Sequence, residues 1–285
     1  MLRSDNMIYK FGRKPRTHKP QIPHMSAMAS RIVQLPPVPD TVDYTKAIQA
    51  VQQDGTQFGI MLNNQLGDYT CAGVYHARQI WTANTTTEQT EPDSSVLTLY
   101  KNACHYDPND PSTDPGGVEQ CVLIYIQNNG IPLNNGSVDK ISAFFEVDPR
   151  NIDDVKRCID ECGVAYIGFN VPYCMFKNYD PHGEALSFWR VDPNNTSVVL
   201  DDNGNEEGHC VILCAYDSVG PTCVSWGSLY KMTWGFFTTC TDEVYSIVSN
   251  DWIINTGKTP LGMTVAELED QMSAIKELST LPGDC

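Results

Sequence analysis

Between Asn63 and Trp81 the chain reads Asn-Asn-Gln-Leu-Gly-Asp-Tyr-Thr-Cys-Ala-Gly-Val-Tyr-His-Ala-Arg-Gln-Ile-Trp, and this stretch limits the possible folds more than any other. Gly67 and Asp68 break any earlier periodicity. Beyond them Val74, Ala77, Ile80 and Trp81 recur at helical spacing, which predicts a helix over 71–83 fed directly by a polar loop. A helix N-terminus presents free N–H groups and positive partial charge, so a Cys in its first turn tends to ionise, and a nearby amide can hold an oxyanion. Cys71 is therefore the candidate nucleophile and Gln65, six positions earlier, the candidate oxyanion donor. The alternative use of Cys71 is as a small buried apolar residue.

With 285 residues, 41% of them hydrophobic, the chain can bury a large core, as one two-lobed unit or two small domains. No apolar run approaches the roughly 20 residues that cross a bilayer. The N-terminal residues have no signal-like apolar core, so the expected compartment is the cytoplasm. Eleven cysteines without an export signal are expected mostly as thiols, and an odd number cannot all pair within one chain. Cys158 and Cys162, like Cys210 and Cys214, stand four apart and lack the paired spacing of a zinc site, so neither metal nor cofactor is expected. Asp201 to Glu206 reads as an acidic turn, since Gly204 comes too early for a calcium loop.

Charge divides the chain unevenly. Residues 1–31 carry a balance of +6, against a formal −16 for the whole, leaving −22 on the remainder. An acidic body disfavours nucleic acid as a ligand. The basic arm, with Pro15, Pro20 and Pro23, has too little apolar periodicity to fold by itself and is expected to run extended along an acidic neighbour. The organisation expected is an arm and linker over 1–40, a body over 41–257 and a C-terminal helix and tail over 258–285. Within the body, helices fill about 60–150 and strands about 151–257.

Helices are predicted at 96–104, 118–128, ending at Asn129-Gly130, and 151–162. Strands are predicted at 164–171, 195–200, 210–216, 222–226 and 233–237, with one or two more within 244–254. A final helix over 264–278 opens on a Thr264/Glu267 capping box. Helices first and strands afterwards give an α+β chain. His105 and His182 fall in loops, and Cys285 is the expected unpaired thiol.

These residues resemble the papain-like cysteine peptidases over roughly 55–255. Gln65 and Cys71 before a helix are similar to that family's oxyanion glutamine and nucleophile, and Gly116-Gly117 before a helix to its first lobe. Gly208-His-Cys-Val-Ile-Leu-Cys-Ala-Tyr-Asp resembles the strand bearing the catalytic histidine, here His209. Val224-Ser-Trp-Gly and the later Met232-Thr-Trp-Gly resemble the segment that orients that histidine. The resemblance implies a two-lobed fold, with a helical N-terminal lobe, an antiparallel β-rich C-terminal lobe and the extended arm added.

Two departures qualify the implied activity. Val224 stands where the family has the orienting Asn, so His209 needs another partner. Phage-encoded papain-like proteins with Gly-Asp-Cys before the helix and Val-Ser-Trp-Gly near the end carry their Cys where this chain has Tyr69, which cannot replace a thiolate at neutral pH. Two alignments follow. In one, Cys71, His209 and Gln65 form the catalytic set of a peptidase cleaving peptide or other amide bonds. In the other the nucleophile is lost and the scaffold is a structural component of a phage virion, made in the host cytoplasm and fastened by its arm to protein partners, with no nucleic acid or membrane ligand.

Overall fold

The computed structural model describes residues 2–4, 7–9, 11–16, 22–29, 35–114, 116–175, 188–201 and 203–273. In chain order the described helices are α1 (Met25–Ala29), α2 (Tyr69–Thr85), α3 (Asp93–Cys104), α4 (Glu119–Asn129), α5 (Ile152–Cys162), α6 (Trp234–Cys240), α7 (Asn250–Thr256) and α8 (Val265–Gln271). The arm contributes strands β1 (Leu2–Ser4), β2 (Met7–Tyr9) and β3 (Arg13–Lys14), and the linker β4 (Val42–Asp43). The helical part holds the short strands β5 (Gly117–Val118), β6 (Ile131–Pro132) and β7 (Val138–Asp139), followed by β8 (Ile141–Glu146). The rest are β9 (Ala165–Asn170), β10 (Phe188–Trp189), β11 (Gly208–Tyr216), β12 (Pro221–Ser225), β13 (Ser228–Met232) and β14 (Thr241–Ser249).

Helix α2 is the axis of the molecule. Every residue from Tyr69 to Thr82 is buried, which is the condition of a helix enclosed on all sides rather than one with a single apolar stripe. Gly73 lets it lie against the sheet, because a Cβ there would meet the Tyr166 ring at 3.0 Å. Tyr166 in turn donates its hydroxyl to the carbonyl of Thr70 at 2.7 Å. On the other side Tyr75 donates to the Ser95 and Pro132 carbonyls.

The large sheet runs β10-β13-β12-β11-β9-β14-β8, antiparallel except at the β10–β13 edge. Strand β8 is a sheet strand inside the range expected to be helical. All but its last residue are buried, so it shows no alternation by which to recognise it. Three further expectations change. Residues 195–200 make isolated bridges, not a strand. Residues 233–237 start α6, because the Thr233 side chain caps the helix by accepting the Phe236 N–H. Within 244–254, β14 gives way to α7, capped by Ser249. The Thr264/Glu267 capping box is formed and starts α8; residues 274–278 of the predicted helix, His182 and Cys285 lie outside the described residues. Among the described cysteines nine are free thiols, and Cys121, which is disulfide-bonded, is the exception.

The arm does not stand away from the body. Phe11, Ile22, Met25 and Met28 join the core, α1 is a short helix, and β1 and β2 pair antiparallel with each other. Strand β3 pairs antiparallel with β11 at Gly208 and parallel with β5. One segment of arm thereby joins the helical side of the molecule to the sheet. Among the described residues no helix is long and apolar enough to cross a membrane.

Candidate active-site cleft

The loop into α2 is tightly wound. Met61 and Leu62 both adopt left-handed backbone, a cost that non-glycine residues bear only where the surroundings hold them. Asn63 donates from its side chain to Asp68 at 2.7 Å, and both are buried. Burial pushes the Asp68 carboxyl well above its ordinary range. Gln65 is exposed in this turn, its N–H donating to the Leu62 carbonyl.

Tyr69 is the first residue of α2, and its ring meets that of His209 edge-on with centroids 4.6 Å apart. Its hydroxyl donates to the Asn63 carbonyl at 2.7 Å and accepts the Trp226 indole N–H at 2.9 Å. Cys71 follows two residues later, which turns it about 200° around the helix from Tyr69. It is fully buried, its sulfur 4.0 Å from that of Cys104. Burial, then the neighbouring Cys104, drives its thiol well above the ordinary range, the opposite of what a nucleophilic thiolate requires.

His209 is completely buried. Its ring lies flat on Trp226, at 4.8 Å and 16°, and takes the rings of Phe11 and Phe169 edge-on at 5.7 and 5.5 Å. Its Nε2 is 2.8 Å from the Ser225 hydroxyl, while Nδ1 has no hydrogen-bond partner. Burial holds the imidazole neutral, pushing its pKa down to about 3. Strand pairing explains why Ser225, not Val224, reaches it. Val224 opposes Ile212, so its side chain points to the face opposite His209, and Ser225, one residue on, returns to the same face.

The cleft beside these residues is filled by the arm. Gly12 lies between Gly67 and Gly116, and a Cβ on either Gly12 or Gly116 would collide with the backbone opposite. Gly117 donates its N–H to the Gly12 carbonyl at 2.7 Å. Phe11 stacks on Tyr69 at 6.4 Å and meets Trp226 edge-on. Arg13 enters a buried acidic pocket. Its guanidinium is within 2.6 Å of Glu243, 2.8 Å of Asp242 and 3.6 Å of Glu119. Burial raises the Glu119 carboxyl, with Arg13 opposing that shift. Tyr245 donates to the second Glu243 oxygen. Gly168 and Gly208 leave the room that Arg13 occupies, since a side chain at either would strike it.

The structure thus brings His209, Tyr69, Ser225 and Trp226 together beneath Phe11. It places Gln65 on the turn leading to them and Cys71 in the packing between α2 and α3. Ser225 and Trp226 were visible as part of the Val-Ser-Trp-Gly segment. Phe11, Gly12, Arg13 and Glu119 carry no comparable signal. Elsewhere, His76 is buried with Nε2 3.1 Å from the Gly59 carbonyl, and burial lowers its pKa to about 4; His105 caps α3 in left-handed backbone. Among the described residues no three His, Cys, Asp or Glu side chains gather as a metal site.

The fold is that of the papain-like cysteine peptidases. Xylellain, a cysteine protease from Xylella fastidiosa, superposes with a TM-score of 0.55 over 87% of this chain and 99% of its own, at 15% identity. The cysteine protease and lectin-like domains of Cwp84, a surface layer associated protein of Clostridium difficile, give 0.50 over 76% of this chain and 54% of theirs, at 8% identity. At these identities the likeness is one of fold. No protein-family model matches the chain, and no curated protein matches it in sequence.

Proposed function

We propose that this chain is a papain-like scaffold without peptidase chemistry, and that it serves as a structural protein of a larger assembly. The observation that carries this reading is the ring of Tyr69 against His209. In a cysteine peptidase the helix start beside the histidine supplies the thiolate. Here it supplies a phenol whose oxygen is already committed to Asn63 and Trp226. His209 is neutral, enclosed by four aromatic rings and covered by Phe11, so neither water nor an amide carbonyl has a path to its unpartnered Nδ1. Cys71, with its thiol raised by burial and aimed away from Tyr69's side of α2, has no base to activate it in this arrangement.

The assembly in question is a phage particle. Support for that step comes from the Gly-Asp-Tyr and Val-Ser-Trp-Gly segments, which resemble those of phage-encoded papain-like proteins, and from an arm of opposite charge to the body. The chain is then made in the host cytoplasm and carried into the virion as a capsid-associated or decoration component. Incubation with a mixed peptide library at neutral pH, alongside an iodoacetamide probe, tests the first part. No turnover and no rapid labelling of Cys71 is expected. Fast, selective alkylation of Cys71 with peptide cleavage would instead establish the peptidase. Mass spectrometry of purified particles tests the second, and a particle lacking the chain would end the virion reading.

A further inference from the structure

The arm seats in a pocket that the body builds for it. Three carboxylates, those of Glu119, Asp242 and Glu243, surround the Arg13 guanidinium. Gly168 and Gly208 are bare where Arg13 passes, and Gly67 and Gly116 are bare where Gly12 passes. A pocket this specific accepts residues 11–16 whichever copy of the chain they belong to.

The covalent path permits the choice. Arg16 donates to the Glu146 carboxylate at 2.8 Å, and Glu146 also holds the returning chain, donating its N–H to the Pro23 carbonyl and bridging to His24. The arm leaves the cleft and rejoins the core at the same residue. Only the residues between Arg16 and His24 connect the two anchors, and drawn out straight they reach roughly 25 Å. That length allows residues 11–16 to leave their own cleft while Met25 and Met28 stay buried in their own core.

We propose that the protein partner of this scaffold is a second copy of the same chain, reached by exchange of residues 11–16 between clefts. Each contact made within one copy is remade between two, which is why exchange of an identical element is a low-cost route to an oligomer. The partner copy then supplies Phe11 over His209 and Arg13 to the acidic pocket. The inference rests on the non-catalytic reading of the cleft, but its test reads association and not turnover, so the two fail separately.

Two full-length variants decide it. Arg13→Glu spoils the arm and leaves the cleft intact; Glu243→Lys spoils the cleft and leaves the arm intact. Each alone should remain monomeric by light scattering, and an equimolar mixture should form a one-to-one heterodimer through the single good arm and cleft. A mixture of folded variants that stays monomeric overturns the proposal. Should either variant fail to fold, the unaltered chain bearing two different tags decides it. Co-purification should rise with concentration and be suppressed by a synthetic peptide of residues 7–16, and not by the same peptide carrying Arg13→Ala. No co-purification up to the solubility limit, or co-purification that the peptide leaves untouched, overturns it.

Discussion

The Ser225 hydroxyl and His209 Nε2 lie 2.8 Å apart in the core, both residues all but inaccessible to solvent. A buried ring nitrogen that loses its partner keeps its desolvation cost, so Ser225→Ala should destabilise the fold by about 1–3 kcal/mol. The imidazole 15N shifts should move with it. Val224→Asn should also destabilise by a similar amount, about 1–3 kcal/mol, because it buries an amide on the wrong face of β12. It should bring no hydrolysis. Urea titrations of the two variants check the stabilities, and normal stability in Ser225→Ala would mean the hydrogen bond carries no weight.

Acid should weaken the protein through its histidines. His209 titrates near 3 and His76 near 4 in the folded chain, below the ordinary value of 6.5. Unfolding therefore takes up protons below about pH 6.5, and the stability these groups confer is complete above that pH and lost as pH falls toward 3. Each contributes a slope of about 1.4 kcal/mol per pH unit across its window. Glu119, raised by burial, acts in the opposite sense, its stabilising effect fading as pH rises. Replacing His209 by Gln should flatten the stability profile between pH 4 and 6. An unchanged slope would show that the ring is solvated in the folded state.

Tyr69→Cys puts a thiol at the helix start beside His209, but beneath Phe11. The single variant should lose both hydrogen bonds and the ring packing, about 3–5 kcal/mol in all, and should resist alkylation. Adding Phe11→Ala should open the site, and mass spectrometry should then find the introduced thiol at position 69 labelled ahead of the native cysteines. Preferential labelling of Cys71 would place the reactive thiol elsewhere.

Gly12→Ala drives a methyl into the Gly67 backbone and should unseat the arm. Limited proteolysis should then cut within residues 10–20 while the body persists. Gly235→Ala is the matched control: it lies within α6, with its nearest neighbour atom at 3.7 Å, and should stabilise by about 0.5–1 kcal/mol. Equal proteolysis of the two variants would dissociate the arm from the Gly67–Gly116 passage.

Much of this architecture could be read from local pattern. α2, α3, α4, α5, β9, β11 and β12 all follow from periodicity and punctuation, and the Thr264 cap from its box. Strand β8 escaped because it is buried on both faces. Helix α6 escaped because Trp234-Gly-Phe-Phe looks strand-like until Thr233 is seen as its cap. In the cleft, the order Gln65, His209 and Ser225-Trp226 was legible as a set, and Tyr69 stood out as an alternative to the thiol. The arm's role was not legible. Its docking depends on carboxylates at 119, 242 and 243 that converge only in the folded chain, so composition alone showed a basic tail and gave no destination within the same molecule.

Arg13 is bonded to Asp242, 229 residues further along. During synthesis the arm is made long before its pocket exists, and it must wait while α2, the sheet and finally β14 are put in place. Contacts between such distant parts of a chain form slowly. In that interval the acidic pocket of a neighbouring chain whose own arm is not yet seated is open to any arm still unplaced. Crowded synthesis, with many chains emerging side by side, is therefore the setting that decides whether each arm comes home to its own body or to a neighbour's.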